Sequence, residues 1–324
     1  MAAGSVAECV RNYLLLRVRV LGRLLRELGW WRLLVLGALL TLAGARALVV
    51  AASSPSLAWL VPLGVAGLLL GLHRPRPDLT FLQLAAPQFR HWLAVEYASL
   101  SLLPTLFLLA WGRWGPAVLT VALAAAVALV PAATARASRT RWPSLFRSSS
   151  FEWVSGSRRP GLGLAWLGLL AGAAATRHTA TGPALAVVGW LLLLLNIYGP
   201  AEPQAWLLPV LRTPSQWLRN RVGWGLLYFG LTVAPLVGIM AQGPAGGGGS
   251  AGLLLWCGLV VTMIILAKYA FYPHATLARL TQAGAVVVGF SILGSNPAYL
   301  ALLAACFVGL LLKSHRRLAP YQYD

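Results

Sequence analysis

The chain has 324 residues, of which 59% are hydrophobic and 10% charged, with a formal net charge of +19. A water-soluble domain carries roughly 25% charged residues, so this composition excludes an ordinary water-facing surface. No basic stripe with interleaved aromatics lies outside the apolar runs, so the positive excess does not point to nucleic acid.

Residues 1–32 open the chain. Arg11, Arg17, Arg19, Arg23, Arg26 and Arg32 alternate there with leucines and valines. Charge recurs too often for a membrane span, and the pattern predicts an amphipathic helix lying in the membrane interface. Apolar runs follow at 33–51, 57–72, 94–111, 115–133, 161–176, 183–198, 222–241, 251–270, 277–294 and 297–312. Each is roughly 16–20 residues long, near the ~20 needed to cross about 30 Å of hydrocarbon. The fold expected is all-α: a polytopic helical membrane protein with about ten transmembrane helices behind an N-terminal interfacial helix. The domain reading is 1–32 for that helix, 33–312 for the membrane domain and 313–324 for a cytosolic tail.

Basic residues fall in alternate connections. With the N-terminus in the cytosol, 23 of the 26 Lys and Arg residues lie on the inner side. Arg113 and Arg177 fall outside, and Arg46 lies within the first span. This bias sets both termini in the cytosol. All seven acids lie on or near the inner side as well. The outer links are short, and the longest is the glycine-rich stretch from Gly243 to Ser250. No Gly-Lys-Ser/Thr follows that stretch, so it is not a phosphate-binding loop.

Two inner segments, 73–97 and 198–222, resemble each other. Each has an acid in a proline-containing turn, Asp78 and Glu202. Each then has an aromatic-Leu pair, Phe81-Leu82 and Trp206-Leu207. Each carries Trp-Leu further on, at Trp92 and Trp217. An acid beside proline starts a helix well. Two readings fit these segments: interfacial helices anchored by tryptophan, or docking helices that pass force from a cytosolic subunit into the membrane. A third inner segment, 134–160, is dense in Arg and Ser and holds Arg147, Glu152, Trp153, Arg158 and Arg159. It reads as a solvated basic loop, or as a surface for lipid phosphates or an acidic partner.

Catalytic and metal chemistry have no visible carrier. Cys9, Cys257 and Cys306 are far apart, the five histidines are scattered, and neither set has metal-ligand spacing. No paired carboxylates or Ser-His-Asp arrangement stands out. No catalytic residue, metal ligand or cofactor is expected.

The motifs Arg76-Pro77-Asp78 with Phe81-Leu82, Glu96-Tyr97, Phe151-Glu152-Trp153, Glu202-Pro203, and Lys268-Tyr269 followed by Tyr272-Pro273 resemble membrane subunits of bacterial ABC exporters, the EcsB-like permeases above all. The resemblance implies a dimer of permease subunits in the bacterial cytoplasmic membrane, surrounded by membrane lipids. ATP hydrolysis would then reside on a separate ABC ATPase subunit. The docking residues would be Asp78, Phe81, Leu82, Trp92, Glu202, Trp206, Leu207 and Trp217. An ATPase-independent transporter or lipid flippase, and a membrane enzyme acting on lipid-linked substrates, are the alternatives.

Overall fold

The computed structural model describes residues 6–74, 76, 78–86, 88–131, 146–147, 150–158, 160–199, 213–291 and 297–319. The described residues form helices, several of them joined by short turns. They divide into two compact units, Met1–Ala137 and Ser138–Asp324.

The first unit begins with α1 (Val6–Leu28), which has Glu8 in its first turn and Arg26 in its last. That order complements the helix dipole. Tyr13 is buried, whereas Leu15, Leu16, Val18 and Leu21 are half exposed or more. A helix that keeps a row of large apolar side chains open suits a membrane interface. Gly29 separates α1 from α2 (Trp30–Ser53) at φ +80°, a backbone conformation open to glycine but rarely to other residues. After Ser54 come α3 (Pro55–Ala58), with proline in its first turn, and α4 (Leu60–His73). Then follow α5 (Asp78–Ala85), α6 (Phe89–Ala110) and α7 (Trp114–Ala126), which tightens into a 3-10 turn over Val127–Leu129.

Helix α7 packs against α4 and α6. Where α2, α3, α6 and α7 meet, Ala52, Ala58, Leu108 and Ala117 are fully buried. Small side chains let helix backbones approach closely. Arg113 reaches across to donate its Nε hydrogen to the Ala52 carbonyl at 3.1 Å, satisfying an acceptor at the end of α2.

The second unit contains α8 (Phe151–Ser157), α9 (Pro160–Ala175), α10 (Thr181–Tyr198), α11 (Pro214–Ala241), α12 (Gly246–Ala270), α13 (Ala275–Ser291) and α14 (Pro297–Leu318). Helix α12 is central and packs on α10, α11, α13 and α14. Every residue from Met263 to Ala270 is buried. Gly225 on α11 marks a close approach: a Cβ there would meet Ile265 at 2.5 Å and the Tyr198 hydroxyl at 2.8 Å.

Among the described residues six helical segments are long and apolar enough to cross a membrane: Leu33–Ser53, Pro55–His73, Phe89–Ala110, Thr181–Tyr198, Pro214–Ala241 and Gly246–Ala270. Their outward faces are apolar. Leu42, Leu68, Leu103 and Leu255 are all more than 70% exposed, which suits hydrocarbon as the surrounding solvent. Hydroxyls within the helices return to their own backbone, as Thr105 does to Ser101 and Thr262 to Gly258. This is the build of a multi-pass membrane protein. Three further apolar helices, Trp114–Leu129, Gly161–Ala175 and Ala275–Phe290, are shorter than a full crossing. The ten apolar runs therefore divide by length. The run from 115 is cut short by the 3-10 turn before Pro131. Helix α14 continues unbroken past residue 312 and ends on His315, Arg316 and Arg317.

Candidate functional site

In each unit, described charged residues of the motifs meet in one cluster. In the first unit the centre is Arg76, in the link between α4 and α5. Its Nε donates to Asp78 Oδ1 at 3.1 Å, and Nη1 to the Tyr97 hydroxyl at 2.9 Å. Its Nη2 meets Glu96 Oε2 at 3.0 Å and the Tyr13 hydroxyl at 2.7 Å. Arg17 closes a ring, reaching Glu96 Oε1 and Asp78 Oδ2 at 3.2 Å each. Two arginines thus alternate with two carboxylates, and their charges cancel. The Arg76 and Glu96 side chains are only 10% and 14% exposed, so each needs the other to offset the loss of water.

The ring is fixed by its neighbours. Tyr13 donates to Glu96 Oε2 at 2.6 Å. Burial, reinforced by that hydrogen bond to Glu96, raises the Tyr13 hydroxyl above its ordinary range and keeps it a donor. For Arg76, burial alone would lower the pKa, but the Tyr13 bond and the Glu96 charge outweigh it and the net shift is upward. His73 links Tyr97, at 2.7 Å, to the Val130 carbonyl, at 2.8 Å. The cluster therefore ties α1, the start of α5 and the first half of α6 together, with the end of α7 joined through His73.

In the second unit the centre is Glu152, 4% exposed on the short helix α8. Its carboxylate accepts from Arg221 Nη1 at 3.0 Å, the Tyr269 hydroxyl at 3.3 Å and Lys268 Nζ at 3.5 Å. The Arg221 guanidinium lies between the rings of Trp217, at 4.2 Å, and Phe151, at 4.3 Å. Stacking of this kind stabilises a cation that has lost water. Trp153 donates its indole hydrogen to the Tyr198 hydroxyl at 2.7 Å. Phe146, Glu152 and Trp153 are thus held against α10, α11 and α12 by aromatic and ionic contacts together.

The sequence-derived candidates take different positions. Asp78 points into the first cluster, and its carboxylate is engaged by Arg17 and Arg76. Leu82 is buried in the core of its unit with Leu79, Leu93 and Tyr97. Trp92 is half-buried against Tyr13, ring centroids 5.7 Å apart. Phe81 is 68% exposed, and Leu84, one turn further along α5, is 90% exposed. Trp217 packs edge-on to Tyr269 as well as on Arg221. Glu202, Trp206, Leu207 and Arg159 lie outside the described residues. Arg147 is exposed, with its guanidinium 5.3 Å from the Trp224 ring, and Arg158 is exposed at the end of α8. Glu152 and Trp153, by contrast, are buried on a helix, so this part of 134–160 is packed structure and not open loop.

Sequence reasoning passed over Tyr13, Arg17, His73, Leu84 and Arg221. A signal existed for some of them. Tyr13 and Arg17 stand four residues apart on one face of α1, and Trp217 and Arg221 stand likewise on α11. Among the described residues no group of three or more potential metal ligands occurs. The arrangement is that of two ionic clamps, whose carboxylates are committed to arginine, lysine and tyrosine.

Comparison with known proteins gave no matching family model, no matching curated protein and no matching solved structure.

Proposed function

We propose that the chain is the membrane subunit of an ABC exporter, EcsB-like in its motifs, acting as a dimer in the bacterial cytoplasmic membrane with a separate ATPase. On this reading all ten apolar helices cross the bilayer, the three shorter ones where it thins locally, and both termini are cytosolic. Helices α1 and α5 then lie at the inner surface.

The observation that carries the reading is the two-sided character of α5. Leu79 and Leu82 are buried on one side, while Phe81 and Leu84 stand open on the other. Its first residue, Asp78, is ion-paired to Arg76, and Arg76 is ion-paired to Glu96 on α6. A push on the open side would reach a membrane-crossing helix through two short ionic contacts. That is what a coupling helix needs: an apolar surface for the ATPase and a stiff connection to the pathway. The motifs that carry the resemblance support the same reading, because Arg76, Asp78, Glu96 and Tyr97 meet in one cluster, and Phe151, Glu152, Lys268 and Tyr269 in the other.

The test is co-purification. The chain, produced together with a candidate ABC ATPase subunit, is expected to come through detergent as a complex that hydrolyses ATP. The isolated chain is expected to hydrolyse none, since it has no phosphate-cradling Gly-Lys-Ser/Thr loop. ATP turnover by the homogeneous isolated chain would refute the reading.

A further inference from the structure

We propose that the last two turns of α14 bind the headgroup of an anionic phospholipid. A cleft of about 480 Å³ runs along one face of this helix, lined by Gly309, Leu312, Lys313, Arg316 and Arg317. The spacing places all five on one stripe, roughly 12 Å long at ~1.5 Å per residue. The stripe is amphiphilic, with an open apolar floor at Gly309 and Leu312 and three cations at the other end. A Cβ built on Gly309 meets nothing within 4 Å, so the missing side chain leaves real room.

Two of the cations are already oriented. Arg317 donates Nε to the Tyr272 carbonyl at 2.7 Å, and the Lys313 ammonium stands 4.0 Å over the Phe271 ring. Neither Arg316 nor Arg317 meets a carboxylate among the described residues, and both are exposed. Cations in a last helical turn also complement the helix dipole. That accounts for the arginines but not for a cleft with an apolar half. A free phosphate would use only the cationic end. A phospholipid fills both halves: its phosphate meets the arginines, and its glycerol and first methylenes lie on Leu312 and over Gly309. Val308, one turn before Leu312, is also exposed and extends the apolar track. The site stands independently of the exporter reading.

The experiment uses the full chain in detergent, incubated with mixed micelles of equal phosphatidylglycerol and phosphatidylcholine, re-purified and analysed for bound lipid. Wild type is expected to retain phosphatidylglycerol preferentially. R316Q/R317Q is expected to lose that preference by about thirtyfold for two charges near the surface. G309L fills the apolar half and should lower phosphatidylglycerol retention without touching a charge, which keeps the test decisive if the double variant does not fold. R219Q, an exposed charge on α11, should change nothing. Undiminished phosphatidylglycerol retention in a folded R316Q/R317Q or G309L overturns the proposal. Complete displacement by millimolar inorganic phosphate also overturns it, by showing a site for a free anion.

Discussion

Arg76 and Glu96 meet at 3.0 Å across 20 positions of sequence, and the pair fastens the start of α5 to α6. Arg76 also holds Asp78 and Tyr13, so one guanidinium anchors three separate segments. Removing one partner of an isolated buried pair costs about 3–5 kcal/mol. Arg76 keeps Asp78 when Glu96 is neutralised, so the loss here is smaller. Glu96→Gln is therefore expected to lower the unfolding midpoint in detergent and to speed tryptic cleavage of α1 at Arg17 and Arg19. A variant with wild-type melting and wild-type cleavage would show that α1 is held by apolar contacts alone.

The same cluster predicts an alkaline limit. The folded state holds the Tyr13 proton more tightly than the unfolded chain, whose phenol titrates near 10.0. The contribution of this residue to stability is therefore complete below that value and is lost as pH rises above it. Tyr13→Phe should be less stable at neutral pH by about 2 kcal/mol, because the hydroxyl donates to Glu96 and accepts from Arg76, both charged. The gap to wild type should close above pH 10, as measured by unfolding at a series of pH values.

In the second unit the test is a double-mutant cycle on Glu152 and Lys268. Lys268 is 2% exposed, so Glu152→Ala takes a carboxylate away from a buried cation. Adding Lys268→Met should recover part of the loss, with a coupling energy of about 1 kcal/mol or more. Additive losses in thermal denaturation would show that the two charges act independently.

Orientation can be read by labelling. In a background with Cys9, Cys257 and Cys306 changed to serine, an impermeant maleimide applied from outside should react with Gly247→Cys and spare Ser157→Cys. Both positions are exposed. The reverse pattern would invert the topology.

The helices were legible because an apolar run one bilayer long has few alternatives to helix, and each of the ten runs contains one. Length was harder to read. Hydropathy continues through Val127–Leu129 although the backbone there tightens into a 3-10 turn. The clusters were half legible. Arg76, Asp78, Glu96, Glu152 and Lys268 stood out as the few charges in an apolar chain. Their partners did not, because Tyr13 and Arg17 come from the N-terminal helix and Arg221 from one basic segment among several. Pairing across 79 positions, as between Arg17 and Glu96, is set by packing and leaves no local pattern. Glu152 and Trp153 looked like loop residues because their neighbours are serine and arginine. Burial followed from contacts with Tyr198, Arg221 and Lys268, all distant in sequence.

The central claim is that α5 receives an ATPase through its open side, and Phe81 and Leu84 decide it. The measurement is the affinity of the ATPase subunit for the full chain in detergent, wild type against F81A/L84A, with both forms shown to be folded. Exposed side chains can be truncated without disturbing the core, so stability should not change. Loss of a buried aromatic anchor costs about 2 kcal/mol or more of binding, so affinity should fall by roughly thirtyfold. Equal affinity for the two forms would contradict the account and leave α5 as a membrane anchor.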